Sequence, residues 1–303
     1  TMRRLWDTSP FLVSATRLGG YHGYDVGGAT SVLGGAVVGF TKSYKKERPD
    51  ALVKAVDLPA SRKTAAIADL LLEETLKDPG CVEVGRVEGR RFGVAFLESP
   101  FPALSADGSA EGEGGLALTS ETVFVVTGAA GSIVSAITTD LAAASGGTFH
   151  LLDLLPEPDP RDPDLARFTT DKDGLKHDIF ERLKAKGERA TPALVEKELA
   201  RIERLAAALV AIRAVEAAGG TVHWYAGDLR DAARVGEIGA EILAKSPRID
   251  VLLHGAGLEI SRFLPDKEPK EFDLVFDVKA DGFFNLLSAL GDAPLGATVA
   301  FSS

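Results

Sequence analysis

The stretch Thr127-Gly-Ala-Ala-Gly-Ser-Ile-Val134 has the residue types of a phosphate cradle. An anion held at a helix N-terminus needs bare backbone N–H groups, and glycine removes the side chains that would block them. Gly128 and Gly131 stand at that spacing, with Thr127, Ala130, Ser132 and Ile133 beside them. Val134 takes the place where a third glycine commonly lets the helix pack tightly on its strand. A two-glycine turn can also be purely structural, so its surroundings decide.

Those surroundings repeat one theme. Asp153 lies 25 residues after Gly128, at the end of the next apolar run, where a carboxylate can hold a ribose hydroxyl pair. Asp228 and Leu229 follow the third run within Gly-Asp-Leu-Arg. The fourth run ends in His254-Gly255-Ala256-Gly257, small residues that let a flat ligand lie against a strand end. The fifth ends in Phe301-Ser302-Ser303. Open α/β sheets bind ligands at the carboxyl ends of their strands, and here all five ends carry small or polar groups. Other chemistries find no motif: there is no His-Glu-x-x-His, no Gly-x-Ser-x-Gly and no P-loop. The single cysteine, Cys81, excludes a disulfide framework and a cysteine-rich zinc site, and is expected to be a buried small hydrophobe. No metal site is expected.

The elements that position these residues follow from apolar periodicity. Thr122–Val126, Phe149–Leu152, Val222–Tyr225, Val251–Leu253 and Thr298–Phe301 are short continuous apolar runs, as strands buried on both faces require. Helical stretches separate them: Ile133–Ala144, a long one ending at Ala218, Ala232–Ala244 and Lys270–Leu290. The alternation predicts right-handed crossovers and a doubly wound parallel sheet of order 3-2-1-4-5. The second and third runs lie 70 residues apart, which implies a helical insertion at about 157–200. There, Leu175, Ile179 and Leu183 share one helical face within Asp171–Lys186. Thr191 as N-cap and Pro192 at N1 open one helix that reaches the glycine stop at Gly219. Val195, Leu199, Ile202, Ala206 and Leu209 give it a seam for a partner, and a helical hairpin at the sheet's edge is expected.

Residues 1–100 read as a smaller α/β unit. Phe11–Ala15 and Ala51–Val56 are strand-like, Leu33–Lys46 is helical, and Ser61 could cap a helix to Lys77. Val82–Val84 and Phe92–Phe96 look like a hairpin closed at Glu88-Gly89. The small, glycine-rich stretch Ser105–Gly115 marks a linker over 101–118, leaving 119–303 as the second unit.

Composition sets outer limits. The 303 residues are 45% hydrophobic and 26% charged, a globular composition. No run approaches a membrane span, and the first ten residues are no signal peptide. The net charge of −10 argues against nucleic acid, and the basic cluster Lys42–Arg48 suits a helix C-terminus instead. Low cysteine use points to the cytoplasm.

Thr127-Gly-x-x-Gly131, Gly227-Asp-Leu229, His254-Gly-Ala-Gly257 and Phe301-Ser-Ser303 resemble the short-chain dehydrogenase/reductase superfamily. Two further stretches narrow the resemblance to the ketoreductase domains of polyketide and polyunsaturated fatty acid synthases. Phe276-Asp-Val-Lys-Ala-Asp-Gly-Phe-Phe-Asn-Leu286 is similar to the segment in which a lysine precedes a glycine by three. Gly35-Ala-Val-Val-Gly-Phe-Thr-Lys42, Glu47-Arg-Pro49 and Val56-Asp-Leu58 are similar to the structural subdomain that precedes the catalytic one. The resemblance implies a Rossmann-like catalytic unit after a partial structural unit. It implies NAD(P)H-dependent reduction of a β-ketoacyl thioester, carried on an acyl carrier protein, to the β-hydroxyacyl form. Neighbouring synthase domains would be partners, and His254, where the family places a histidine without chemistry, would be a packing residue. Lys279 and Ser303 match two members of the family's Lys-Ser-Tyr set, in which the serine hydroxyl bonds the ketone oxygen and the lysine lowers the tyrosine's pKa. A non-catalytic scaffold and a free-standing alcohol dehydrogenase are the alternatives, the second disfavoured by residues 1–100.

The departures carry expectations of their own. The family's tyrosine lies beyond the serine and the sequence ends at Ser303, so an internal piece of a longer polypeptide, inactive by itself, is expected. The family implies NADP(H), with an arginine near the 2′-phosphate. Asp153 followed by Pro156-Glu157, with no arginine nearby in sequence, leans toward NAD(H). The Leu-Asp-Asp of one stereochemical class is absent from Leu258-Glu-Ile-Ser-Arg262, which points to the other class.

Overall fold

The computed structural model describes residues 11–29, 31–98, 117–187 and 190–301. Most of the expected linker, and Ser303 with it, therefore lie outside the described residues. The described chain forms two compact units, residues 11–98 with Ser261–Glu268, and residues 117–260 with 269–301.

In the first unit, β1 (Phe11–Thr16), β2 (Leu52–Asp57) and β3 (Glu83–Val87) pair in parallel, and β4 (Arg90–Gly93) closes an antiparallel hairpin on β3. Helices α1 (Leu33–Glu47) and α2 (Thr64–Leu76) make the crossovers. The hairpin's second strand starts earlier than its apolar residues suggest. Glu88 and Gly89 both take positive φ (50° and 77°), and a two-residue turn of that kind pairs Arg90 with Val87 at once. Ser61 does not cap α2; its hydroxyl accepts from Lys63 N–H, and Lys63 is the N-cap. Cys81 is only partly buried, its Sγ facing the Glu83 carbonyl. Lys54 and Glu74 are fully buried, and Lys54 Nζ donates to the Asp78 carbonyl at 2.7 Å.

The second unit holds β5 (Val123–Thr127), β6 (Thr148–Asp153), β7 (Thr221–Ala226), β8 (Ile249–His254) and β9 (Leu295–Ala300). The order β7-β6-β5-β8-β9, all parallel, is the expected doubly wound sheet. Alternate residues of β5 serve the two faces. Phe124 and Val126 join Phe149, Leu151, Ile212 and Val215 in one core, and Val125 joins Ile238, Ile242, Leu252 and Leu286 in the other. Phe124 and Phe149 stack at 4.3 Å between ring centres. Helices α3 (Ser132–Ser145), α6 (Pro192–Ala217), α7 (Ala232–Lys245) and α9 (Gly282–Leu290) cover the sheet, and α8 (Pro269–Phe276) precedes α9.

The insertion has three helices rather than two. Asp162 caps α4 (Pro163–Thr170). Asp171 then accepts from Gly174 N–H and starts α5 (Lys172–Ala185) where α4 stops. Helix α6 runs unbroken for 26 residues, about 39 Å at 1.5 Å per residue. Thr191 Oγ1 accepts from Leu194 N–H at its start. At its end, Gly219 (φ +82°) donates to Glu216 and Gly220 to Val215, the two bonds that close a helix on a left-handed residue. Leu165, Leu175, Ile179, Val195, Leu199 and Ile202 form a core of their own. Leu205 is buried in the seam where Ala206 is only partly so, because a longer side chain one position earlier reaches the same groove.

The segment 270–290 is not one helix. Asp277–Asp281 form a π turn between α8 and α9. The Lys279 carbonyl inside that turn accepts from His254 Nε2 at 2.9 Å, so a side chain from β8 stabilises the irregularity.

Candidate dinucleotide cradle

Parallel register brings the expected residues into one row. Thr127 stands opposite Leu152 on one side and His254 on the other; Asp153 pairs with Ala226 and His254 with Ala300. The row is therefore formed by the carboxyl ends of all five strands.

At its centre, Gly128 takes φ +71°, and a Cβ there would lie 2.8 Å from the Ala256 backbone. Glycine is required at that position on both counts. Gly131 is the N-cap of α3, and no side chain caps this helix. The first-turn N–H groups of Ser132 and Ile133 are thus the orphan donors that an anion can fill. Ala130 is fully buried and turns its N–H to Asp153 Oδ2 at 3.0 Å. The missing third glycine has a physical substitute. Val134 Cγ2 fills the space that a Cβ on Gly255 would need, so close packing moves from the helix to the strand end.

His254 does more than pack. It is 1% exposed, its Nε2–H donates to the Lys279 carbonyl, and its Nδ1 then accepts from Thr127 Oγ1 at 2.9 Å. Thr127 Oγ1 in turn accepts from Ala256 N–H at 3.2 Å. One chain of hydrogen bonds thus links the cradle, the β8 end and the π turn. Burial holds the His254 imidazole at a pKa of about 4, so it is neutral at pH 7. Lys279 extends along Gly257, where a Cβ would sit 3.2 Å from Nζ, and burial lowers its ammonium pKa. Lys279 thereby stands at the cradle's His254 end, a cation made more acidic by its setting.

Asp153 differs from the sequence expectation. It is 4% exposed, and both oxygens are taken: Oδ2 by Ala130 N–H, Oδ1 by Leu155 N–H at 3.0 Å and by Arg204 Nη2 at 2.8 Å. Sequence offered no arginine near Asp153, yet α6 supplies one from 51 residues away. Only the pairing of α6 with the sheet could reveal it. Asp228 accepts from the backbone N–H, Nε and Nη2 of Arg230, and these hydrogen bonds hold the carboxyl below its usual pKa despite opposing desolvation. The Leu229 side chain belongs to the core and its carbonyl accepts from Asn285. Among the described residues no cluster could hold a metal ion, and no helix is long and apolar enough to cross a membrane.

Sheet order, crossover helices and a glycine turn at the strand ends define a doubly wound, dinucleotide-type α/β unit. The KR domain family matches residues 174–303. A 118-residue stretch is 30% identical to part of a polyunsaturated fatty acid synthase from Thraustochytrium sp., covering 39% of this chain and 4% of that protein. In fold, the chain is similar to a ketoreductase domain from the bacillaene assembly line (TM-score 0.63, 17% identity, 100% of this chain and 56% of that one). It is likewise similar to a ketoreductase from the first module of phoslactomycin biosynthesis in Streptomyces sp. (TM-score 0.62, 18% identity, 97% and 54%). The chain thus spans about half the length of these structures. The comparisons agree with the resemblance in the sequence to the ketoreductase domains of polyketide and polyunsaturated fatty acid synthases, within the short-chain dehydrogenase/reductase superfamily.

Proposed function

We propose that this chain carries the cofactor-holding part of a β-ketoacyl reductase, which converts a β-ketoacyl thioester on an acyl carrier protein to the β-hydroxyacyl form within a multidomain synthase. One observation carries the reading. The uncapped α3 N-terminus behind Gly128 and the half-buried Lys279 beside Gly257 stand on one row of strand ends, joined through Thr127 and His254. A pyrophosphate fits the first, because Gly128 leaves room that any side chain would fill. A bound nicotinamide dinucleotide supplies the hydride. Thr127 and His254 fix the π turn and with it Lys279. By the family resemblance, Lys279 and Ser303 then act on the ketone oxygen and its proton donor. The sequence's four tyrosines, at 21, 24, 44 and 225, do not match the family's donor. Tyr225 lies in β7, hydrogen-bonded to His150.

The test separates binding from turnover. The 303-residue chain binds a reduced dinucleotide, followed by nicotinamide fluorescence, but does not oxidise it with a β-ketoacyl thioester analogue. In a polypeptide extended through the family's tyrosine, Lys279→Ala lowers turnover at least about 100-fold and dinucleotide affinity by less. Absence of dinucleotide binding by the folded chain overturns the reading.

A further inference from the structure

Between α5 and α6 lies a cavity of about 630 Å³. Small-molecule sites span roughly 300–1,000 Å³, so the volume is that of a ligand site. Its floor is apolar. Ile179 belongs to the insertion's own core, and Leu155 and Leu183, which also line the cavity, pack against that core. Leu194 adds an apolar side chain that is 37% exposed.

The charges around this floor differ in what they have left to give. Five cations line the cavity against one carboxylate, Glu198. Three of the five already hold a carboxylate of this chain. Arg182 holds Asp164 at 2.6 Å, Arg201 holds Glu198 at 2.7 Å and Arg204 holds Asp153 at 2.8 Å. The other two, Lys186 and Lys197, hold none among the described residues. Both lysines are exposed, whereas Ile179 is buried and Leu155 and Leu183 are partly so. The unspent positive charge therefore stands at the rim, above an apolar floor.

That division selects the ligand. An inorganic anion would meet the two lysines and leave the floor unused; a neutral alkane would do the reverse. An acidic helix needs a row of free cations along its length, and here three of five are neutralised. A single anionic head on an unbranched alkyl chain matches both parts. The head accepts from the ammonium groups, and each methylene leaves water against leucine and isoleucine.

We propose that this cavity of the insertion binds a free long-chain carboxylate, with its head at Lys186 and Lys197 and its alkyl chain over Leu155, Ile179 and Leu183. The inference goes beyond the dinucleotide reading and does not depend on it.

Titration calorimetry of the purified chain with hexanoate, octanoate, decanoate and dodecanoate, below their micellar concentrations and without dinucleotide, tests it. Affinity rises along the series, by up to about fourfold per added methylene, the worth of complete burial. Decyltrimethylammonium, an alkyl chain with the opposite charge, binds at least about fivefold more weakly than decanoate. The double variant Lys186→Gln/Lys197→Gln lowers decanoate affinity about fivefold, the worth of two exposed ion pairs, and leaves the chain-length series as steep. Leu183→Ser flattens the series. Because Leu183 is partly buried, Leu194→Ser, at an exposed position, is measured beside it and flattens the series less. The lysine variant changes only exposed side chains, so its melting temperature stays that of the parent chain. A folded chain that binds no dodecanoate, an affinity independent of chain length, equal binding of the cationic amphiphile, or full affinity in the lysine variant overturns the inference. None of these results touches the dinucleotide reading, which its own binding measurement decides.

Discussion

The two units use the same plan at their first strand end and fill it differently. In each, a strand ends in threonine, a glycine-bearing turn follows, and the neighbouring parallel strand ends in aspartate. The pairs are Thr16 with Asp57, and Thr127 with Asp153. In the first unit Asp57 is fully buried and takes the Thr16 hydroxyl at 2.7 Å, the Leu18 and Gly20 N–H groups at 2.6 Å and the His22 N–H at 2.9 Å. Burial works to raise this carboxyl's pKa, but the four hydrogen bonds outweigh it and hold the pKa below the usual value. The turn's donors are thus spent on the protein's own anion. In the second unit Asp153 takes just one N–H from the cradle turn, that of Ala130, and the α3 N-terminus remains uncapped. A loop of one design becomes a structural brace when its own carboxylate satisfies it, and a candidate ligand site when the donors are left over.

The strongest way to break this contrast is Asp57→Ala. It strands a hydroxyl and three N–H groups in a closed site and should destabilise the first unit by about 3–5 kcal/mol. Urea unfolding with segment-resolved amide exchange reads the loss, and dinucleotide binding by the second unit should persist. A loss under about 1 kcal/mol would mean that water replaces the carboxylate and that Asp57 is no brace.

Acid should separate the units next. Burial, with help from the charges of His223 and Lys245, holds His150 at a pKa of about 4; burial likewise holds His254 at about 4. An unfolded histidine binds its proton near pH 6.5, so below that pH the unfolded state takes up more protons than the folded one. Stability of the second unit is lost as pH falls from about 6.5 to 4, by up to about 1.4 kcal/mol per pH unit for each histidine. Asp57 works at the other end of the scale: its contribution is complete above the usual carboxylate range and is lost only as pH falls through its lowered folded pKa. Amide exchange against pH should show the second unit opening first, and simultaneous opening would contradict the assignment of neutral buried histidines.

The smallest effect sharpens the contrast at single glycines. Gly19 takes φ +96° with open space around its missing Cβ, whereas Gly128 at φ +71° faces the Ala256 backbone. Gly19→Ala should cost about 1 kcal/mol of backbone strain, and Gly128→Ala about 2–3 kcal/mol with loss of dinucleotide binding. Equal melting shifts for the two variants would show that the close approach at Gly128 relaxes freely.

Much of this was legible in the chain because it is local. Apolar runs such as Thr122–Val126, found as β5 one residue later, announce buried parallel strands, and Thr191-Pro192 with Gly219 announces both ends of α6, since caps act within one turn. Alternation with right-handed crossovers pointed to a parallel doubly wound sheet, and the glycine turn after the first strand pointed to the order in which that strand lies at the centre. Gly128 and Gly131 were readable as a strand-to-helix glycine turn because their spacing is contiguous.

What tertiary structure decided are the relations between distant residues. The Arg204–Asp153 pair spans 51 positions and exists only because α6 packs beside the end of β6; sequence proximity alone pointed to a bare, repelling carboxylate. The π turn at Lys279 is stabilised by His254, 25 positions earlier on another element, so a continuous helical pattern concealed it. Val134 could stand in for a glycine because Gly255, at the end of the neighbouring strand β8, gave up its own Cβ. Period and capping are properties of a few adjacent residues, and sequence by itself determined them. Charge compensation and close packing are properties of pairs that only the fold brings together.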